Sequence, residues 1–351
     1  MKKISLLCIL LALVTLFISC QSPTDGEALT TTMPDTLNVS ESEMYDGYFE
    51  EETVDVSVEC VSGSAGCYTL EGNKLTFTAL SEDSVYSIKG ALSGSIVIDV
   101  GDGRKLDLEL HGLSLVGKSD SPITVLSGDK VTITAKKDFT SYIYDMRAAV
   151  DENDENAHSG AIYSVVDLEI AGKGTLNVVS ENNNGIHTKD DLEVKNLTLN
   201  VMCLDNALKG NDSVTIESGT TSLIAKQGDG IKTVNTDVSD KGKQRGTVSI
   251  TGGTHTIGAA CDGIDAAYDV VIDGEATSLS VYTDKYSSAS EEVTATTDGK
   301  YYLRTTQTGY KYSVKYYNSD SDVLWVNVGD SYETVSSGGK GRPGRPSTNQ
   351  T

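Results

Sequence analysis

Basic side chains are scarce in this chain: 28 Lys and Arg stand against 51 Asp and Glu, a formal net charge of -23 over 351 residues. Such a surface repels duplex nucleic acid and anionic membranes, so neither is an expected partner. No Cys-x-x-Cys pair and no Cys/His group with zinc spacing occurs, which excludes a thiolate metal centre. Proline (5), phenylalanine (4) and tryptophan (1) are few, whereas glycine (34) is frequent and β-branched residues and leucine fill the apolar positions. No stretch of helical period follows residue 25. These features predict an all-β chain with many tight turns.

Long apolar runs are confined to the N-terminus. Met1-Lys2-Lys3 leads into Ile4 to Ile18, and Ser19-Cys20 follows. This pattern resembles a bacterial lipobox, with Cys20 as the lipidated first residue of the mature chain. Cleavage by an ordinary signal peptidase is the alternative, and the run is short for an uncleaved span. Loss of Lys2 and Lys3 leaves 26 basic residues and a net charge of -25. Residues 21–52 are rich in Ser, Thr, Asp and Glu and read as a flexible acidic linker. The expected location is the extracellular face of the cell envelope, with membrane contact through the lipid alone. Cys60 and Cys67 bracket a Gly/Ser loop and can pair in an exported chain. Cys203 and Cys261 read as small buried residues.

What the chain does have is a repeat. Ser159-Gly160-Ala161-Ile162, Asn184-Gly185-Ile186, Asn206-Ala207-Leu208, Asp229-Gly230-Ile231 and Asp262-Gly263-Ile264 share one corner motif. Their apolar anchors are 24, 22, 23 and 33 residues apart, a period near 23 with one 10-residue insertion. Three short alternating segments fill each period, for example Gly185-Ile186-His187, Leu192-Glu193-Val194 and Leu197 to Val201. Three strands per coil predict a right-handed parallel β-helix; the left-handed type needs a hexapeptide beat that is absent. A β-sandwich is the other all-β reading, and it leaves the returning corner unexplained. The solenoid is expected over 53–284. A Tyr-rich C-terminal cap follows over 285–337, then a disordered Gly-Arg-Pro tail over 338–351. Lys137 to His158, with its acidic run, reads as a loop outside the coil.

Stacking the corners stacks their polar residues. Asn184, Asn206, Asp229 and Asp262 stand two before the anchor, and His187, Lys209, Lys232 and Asp265 one after it. Carboxylates repeating at about 5 Å repel one another unless a cation intervenes, and Ca²⁺ suits carboxylate and carbonyl turns. The candidate ligands are Asp205, Asp229, Asp262 and Asp265, whereas the Asn residues read as structural turn groups. Lys209 and Lys232 share a column, so each is expected to lower the other's pKa. Ion pairing within the column is the commoner role for such lysines; a base that abstracts a proton alpha to a carboxylate is the other. With His187, they are candidates to contact an acidic substrate, as are Lys241 and Arg245 from the insertion Asn235 to Arg245.

Over residues 60–332 these strings resemble bacterial extracellular carbohydrate-binding proteins of the calcium-binding, pectate-lyase-like parallel β-helix family. Gly160 to Ser164, Asn184 to Leu192, Ala207 to Val214, Asp229 to Lys232, Gly246 to Thr254 and Asp262 to Ile264 carry the resemblance. It implies calcium on the helix and binding of acidic plant polysaccharide such as polygalacturonate. Asn206-Ala207 departs from the expected Asp-Gly, and His187 from a small or charged residue. Three readings follow: a monomeric surface module that holds uronan through calcium, a calcium-dependent lyase using Lys209 or Lys232, or a structural adhesin.

Overall fold

The computed structural model describes residues 40–283, apart from 152–153, 155–156 and 274–276, and five further strands between Glu292 and Ser336. The signal segment with Cys20, residues 21–39 and the tail from 337 lie outside the described residues, as do the aromatic side chains expected to fill a C-terminal cap.

Three parallel ladders wind the chain into about eight turns. The first ladder contains Lys74–Thr78, Ser95–Asp99, Ile123–Ser127, Gly160–Ser164, Asn184–Thr188, Leu208–Gly210, Ile231–Lys232 and Ile264–Asp265. The second runs through Lys130–Ala135, Asp167–Gly172, Asp191–Lys195, Ser213–Ile216, Thr247–Ile250 and Asp269–Asp273. The third runs through Thr140–Asp145, Thr175–Ser180, Thr198–Cys203, Thr220–Ala225, Gly253–Ala259 and Thr277–Thr283. In the first coils the long strands Ser84–Ser93 and Lys105–Gly117 serve both of these ladders. Each turns the corner at a positive-φ glycine, Gly90 (φ 106°) or Gly112 (φ 79°).

Register follows the anchors. Leu75, Ile96, Ile123, Ile162, Ile186, Leu208, Ile231 and Ile264 are paired in sequence along the first ladder, and all are buried. A one-residue slip would turn these side chains out to water, so the apolar column pins the stack. Burial of each contributes about 1.5–3 kcal/mol relative to exposure.

Antiparallel strands close both ends of the coil stack. Val54–Ser62 pairs with Ser84–Ser93, and Tyr68–Glu71 forms a hairpin with Lys74–Thr78. At the far end Glu292–Thr294 and Lys300–Thr306 pair antiparallel with the last coil, and Lys311–Tyr317, Asp322–Asn327 and Glu333–Ser336 extend the meander. Such pairing removes the open edges a solenoid would otherwise present.

Four expectations are corrected. Residues 40–52 are docked rather than free. Ser40 caps the short helix Glu41–Met44 with a capping box. Met44 then buries itself in a column from the third ladder: Val116, Tyr144, Val179, Met202 and Ile224. Four apolar groups, Met44, Tyr45, Tyr48 and Phe49, pack there within an otherwise acidic stretch. Second, Lys137 to His158 is not all loop, because Thr140–Asp145 is a third-ladder strand whose Ser141 and Ile143 point inward. Cys203 is buried as expected, but Cys261 is only partly so. Cys60 and Cys67 are free thiols.

Candidate functional site

The corner column is a hydrogen-bond ladder before it is anything else. Asn184 Nδ2 donates to the Ser159 carbonyl at 2.6 Å, and Asn206 Nδ2 donates to Asn184 Oδ1 at 2.8 Å. The Asp229 amide donates to Asn206 Oδ1 at 3.0 Å, and the Asp262 amide to Asp229 Oδ1 at 2.8 Å. Each side chain thus satisfies a backbone group of a neighbouring coil that the tight corner would leave unpaired. The glycine beside it is forced by packing: a Cβ on Gly230 would stand 2.2 Å from Ile257 Cγ2 and 2.5 Å from the Gly263 carbonyl.

Three of the four proposed calcium ligands meet. Oxygens of Asp229, Asp262 and Asp265 lie within 4.8 Å of one another. Asp205 belongs to the previous coil, against Gly228, and is not in this cluster. The cluster already contains a cation: Lys232 Nζ donates to Asp229 Oδ2 at 2.6 Å and to Asp265 Oδ2 at 2.9 Å. Burial would lower the Lys232 pKa, but the two carboxylates outweigh it and raise the pKa above the ordinary lysine range. The expected depression by Lys209 is therefore reversed, and a neutral amine at Lys232 is disfavoured. The ion-pairing role holds.

His187 and Lys209 are buried, with 6% and 7% of their surface exposed, and both are engaged by neighbours. His187 Nδ1 lies 2.8 Å from Ser159 Oγ and Nε2 3.2 Å from Asn211 Oδ1. Its ring meets Tyr163 edge-on at 5.3 Å, and His158 covers Tyr163 at 5.0 Å. The segment after Asp145 is tied back to the coil. Arg147 forks Asp145 with two 2.7 Å bonds, and the Val150 amide donates to Asn183 Oδ1. His187 and Lys209 are thus part of the buried scaffold in this conformation.

A second acidic group lies at the next corner, between the first and second ladders, on the earlier coils of Ile162 and Ile186. Asp167, Asp190 and Asp191 place carboxylate oxygens within 4.8 Å of one another, all partly exposed. Burial, then the charges of Asp167, Asp212 and Asp191, raise the Asp190 pKa to about 6. Burial and Asp191 also raise Asp167. The insertion folds toward this group. Lys243 Nζ donates to Asp191 Oδ2 at 2.6 Å, and Ser213 Oγ to Asp191 Oδ1 at 2.5 Å. Arg245 Nε lies 2.5 Å from Asp212 Oδ2, and its Nη1 donates to Asp237. Arg245 is thereby held, while Lys241 is exposed. Asp167 was not among the sequence candidates. Its signal was its offset, five residues after Ile162, as Asp191 is five after Ile186.

Residues 71–330 match the profile of the carbohydrate-binding domain-containing protein family. A carbohydrate-binding domain-containing protein from Acetivibrio thermocellus is 34% identical over 117 residues, 33% of this chain and 41% of the relative. The match thus spans less than half of that relative's length. A polysaccharide lyase-like protein from C. thermocellum, solved as a gadolinium derivative, superposes with a TM-score of 0.53 at 30% identity. That superposition covers 63% of this chain and 87% of the neighbour.

Proposed function

Because the chain belongs to the family of carbohydrate-binding domain-containing proteins, we propose that it is a cell-surface module holding acidic polysaccharide, of the polygalacturonate or pectin kind, through calcium. The observation that carries this reading is the Asp167–Asp190–Asp191 group, where carboxylates crowd without enough positive charge to balance them. A chain of net charge -23 repels a polyanion, and a bridging cation removes that conflict.

Of the two acidic clusters this one fits calcium better. Calcium takes six to eight oxygens from flexible carboxylates, carbonyls and water. Asp167 and Asp190 offer such oxygens at the surface, with Asp191 beside them. The set Asp205, Asp229, Asp262 and Asp265 fits poorly, since Asp205 stands apart and Lys232 supplies the charge a metal would bring. When bound, calcium would supply a bridge between these carboxylates and those of the glycan. Lys243 and Lys241 add positive charge at the rim.

The lyase alternative requires a lysine that gives up its proton readily, and Asp229 and Asp265 oppose that at Lys232. The deciding experiment titrates the chain with polygalacturonate, first with calcium and then with EDTA, while following absorbance of unsaturated product. Calcium-dependent binding with flat absorbance is expected, and Asp190→Asn should weaken it. Rising absorbance would establish a lyase. Thermal stabilisation by calcium without glycan binding would leave a structural solenoid.

A further inference from the structure

The turn between the first and second ladders carries one residue per coil in a hydrogen-bonded row. The Asp212 amide donates to the Asp190 carbonyl at 3.3 Å, the Gly246 amide to the Asp212 carbonyl at 2.6 Å, and the Tyr268 amide to the Gly246 carbonyl at 2.8 Å. The register of the following strand agrees, pairing Asp191, Ser213, Thr247 and Asp269 in succession. Asp190, Asp212, Gly246 and Tyr268 therefore form a single row parallel to the solenoid axis. Three coil steps of about 4.8 Å separate its ends, about 14 Å in all.

Tyr268 is the most exposed tyrosine whose side chain is described, and Phe139 is the other exposed aromatic, at 43%. Tyr86, Tyr144 and Tyr163 are fully buried, whereas Tyr268 leaves 50% of its surface in solvent. Its neighbour in the row is Gly246, with φ of +85°, packed so closely that a Cβ there would stand 2.3 Å from the Asn235 carbonyl and 3.1 Å from Tyr268 Cβ. Val234, just before the insertion, and Val238 within it are also exposed, at 47% and 56%. An exposed aromatic thus ends a row that begins with the carboxylates Asp190 and Asp212, and exposed apolar surface of this kind marks binding surfaces.

We propose that Tyr268 is a sugar-stacking subsite. A polysaccharide lies along the turn row, one pyranose ring against the Tyr268 face and a charged unit three coils away at the Asp167–Asp190–Asp191 group. The inference rests on the carbohydrate-binding reading above and adds direction and length to it. A ring presents apolar C–H groups to an aromatic face while its hydroxyls stay in water, which is the arrangement a half-exposed tyrosine offers. The occupant must be extended enough to span the row. A disaccharide cannot reach both ends.

The test compares wild type, Tyr268→Ala and Tyr268→Phe as full chains, by calorimetry with polygalacturonate and with a size series of its oligomers, in calcium. Tyr268→Ala should weaken polymer binding about fivefold to tenfold, the size of one aromatic contact, and Tyr268→Phe should bind as wild type. The difference should vanish for the disaccharide. Calcium affinity, titrated without glycan, should be equal in all three. If Tyr268→Ala binds the polymer as wild type does, the subsite is overturned while the calcium reading stands. If the wild type binds no uronan, both fall. A Tyr268→Ala change confined to self-association in sedimentation also overturns the subsite.

Discussion

Lys232 Nζ sits 2.6 Å from Oδ2 of Asp229, three residues earlier in the same corner, and the same ammonium reaches Asp265 on the next coil. One lysine thus neutralises two carboxylates of the corner column. Removing it should leave the nearly buried Asp229 facing Asp265 without compensation. Lys232→Met is expected to lower stability by about 1–3 kcal/mol, a partly exposed version of breaking a buried pair. Calcium should then stabilise this variant more than the wild type, read as the shift of the melting midpoint on adding the ion. Equal shifts would show that the corner does not accept a cation in place of the ammonium.

Asn206 donates to Asn184 and accepts from the Asp229 amide, so it satisfies two buried groups at once. Asn206→Ala strands both and should cost about 2–4 kcal/mol by denaturant unfolding. Asn206→Asp keeps the acceptor and loses the donor, and it should fall between the two.

Gly230 shows the same corner under steric control. Gly230→Ala is expected to cost about 1–3 kcal/mol, because the new methyl meets Ile257 and the Gly263 carbonyl at once. Adding Ile257→Ala removes only one of these clashes, so the double variant should recover part of the loss beyond additivity. Gly242→Ala, where a Cβ meets nothing within 4 Å, tests strain alone, since its φ is +77°.

On the outer face of the second ladder, Lys130 and Lys195 bracket Glu193 at 2.7 and 3.0 Å and also reach Glu169. Burial would raise the Glu193 pKa, but the two lysines outweigh it and hold the carboxyl at about 2. The folded value lies below the unfolded one, so the contribution is present above about pH 4.3 and fades as pH falls toward 2. Solvent screening keeps it near 1 kcal/mol. Glu193→Gln should flatten the fall in stability between about pH 4.5 and 2, measured by urea unfolding at successive pH values. A slope identical to wild type would remove Glu193 from the acid response.

The period and the anchors were legible because they obey local rules. A buried column needs an apolar residue at a fixed offset, so Ile162, Ile186, Leu208, Ile231 and Ile264 announce the coil length directly. Asp229, Asp262 and Asp265 could also be grouped in advance, since equal offsets in a stack mean neighbouring positions. Ion pairing of Lys232 within its column was legible too, and what the spacing did not give is that this one ammonium bonds both Asp229 and Asp265.

The sequence by itself determined the all-β repeat, its length near 23 residues, the place of the insertion and the acidic excess, all of which follow from spacing and composition. Tertiary structure alone decided which polar groups face water. His158 packs on Tyr163, the insertion brings Lys243 and Arg245 onto Asp191 and Asp212, and the N-terminal segment docks across the third ladder. Loops carry no periodic signal, and where they fold back is set by ion pairs and apolar contacts distant in the chain. For that reason the candidate site moved from the corner, where the motif is, to the adjoining turn row, where Asp167, Asp190 and Asp191 crowd together three coils from the exposed Tyr268.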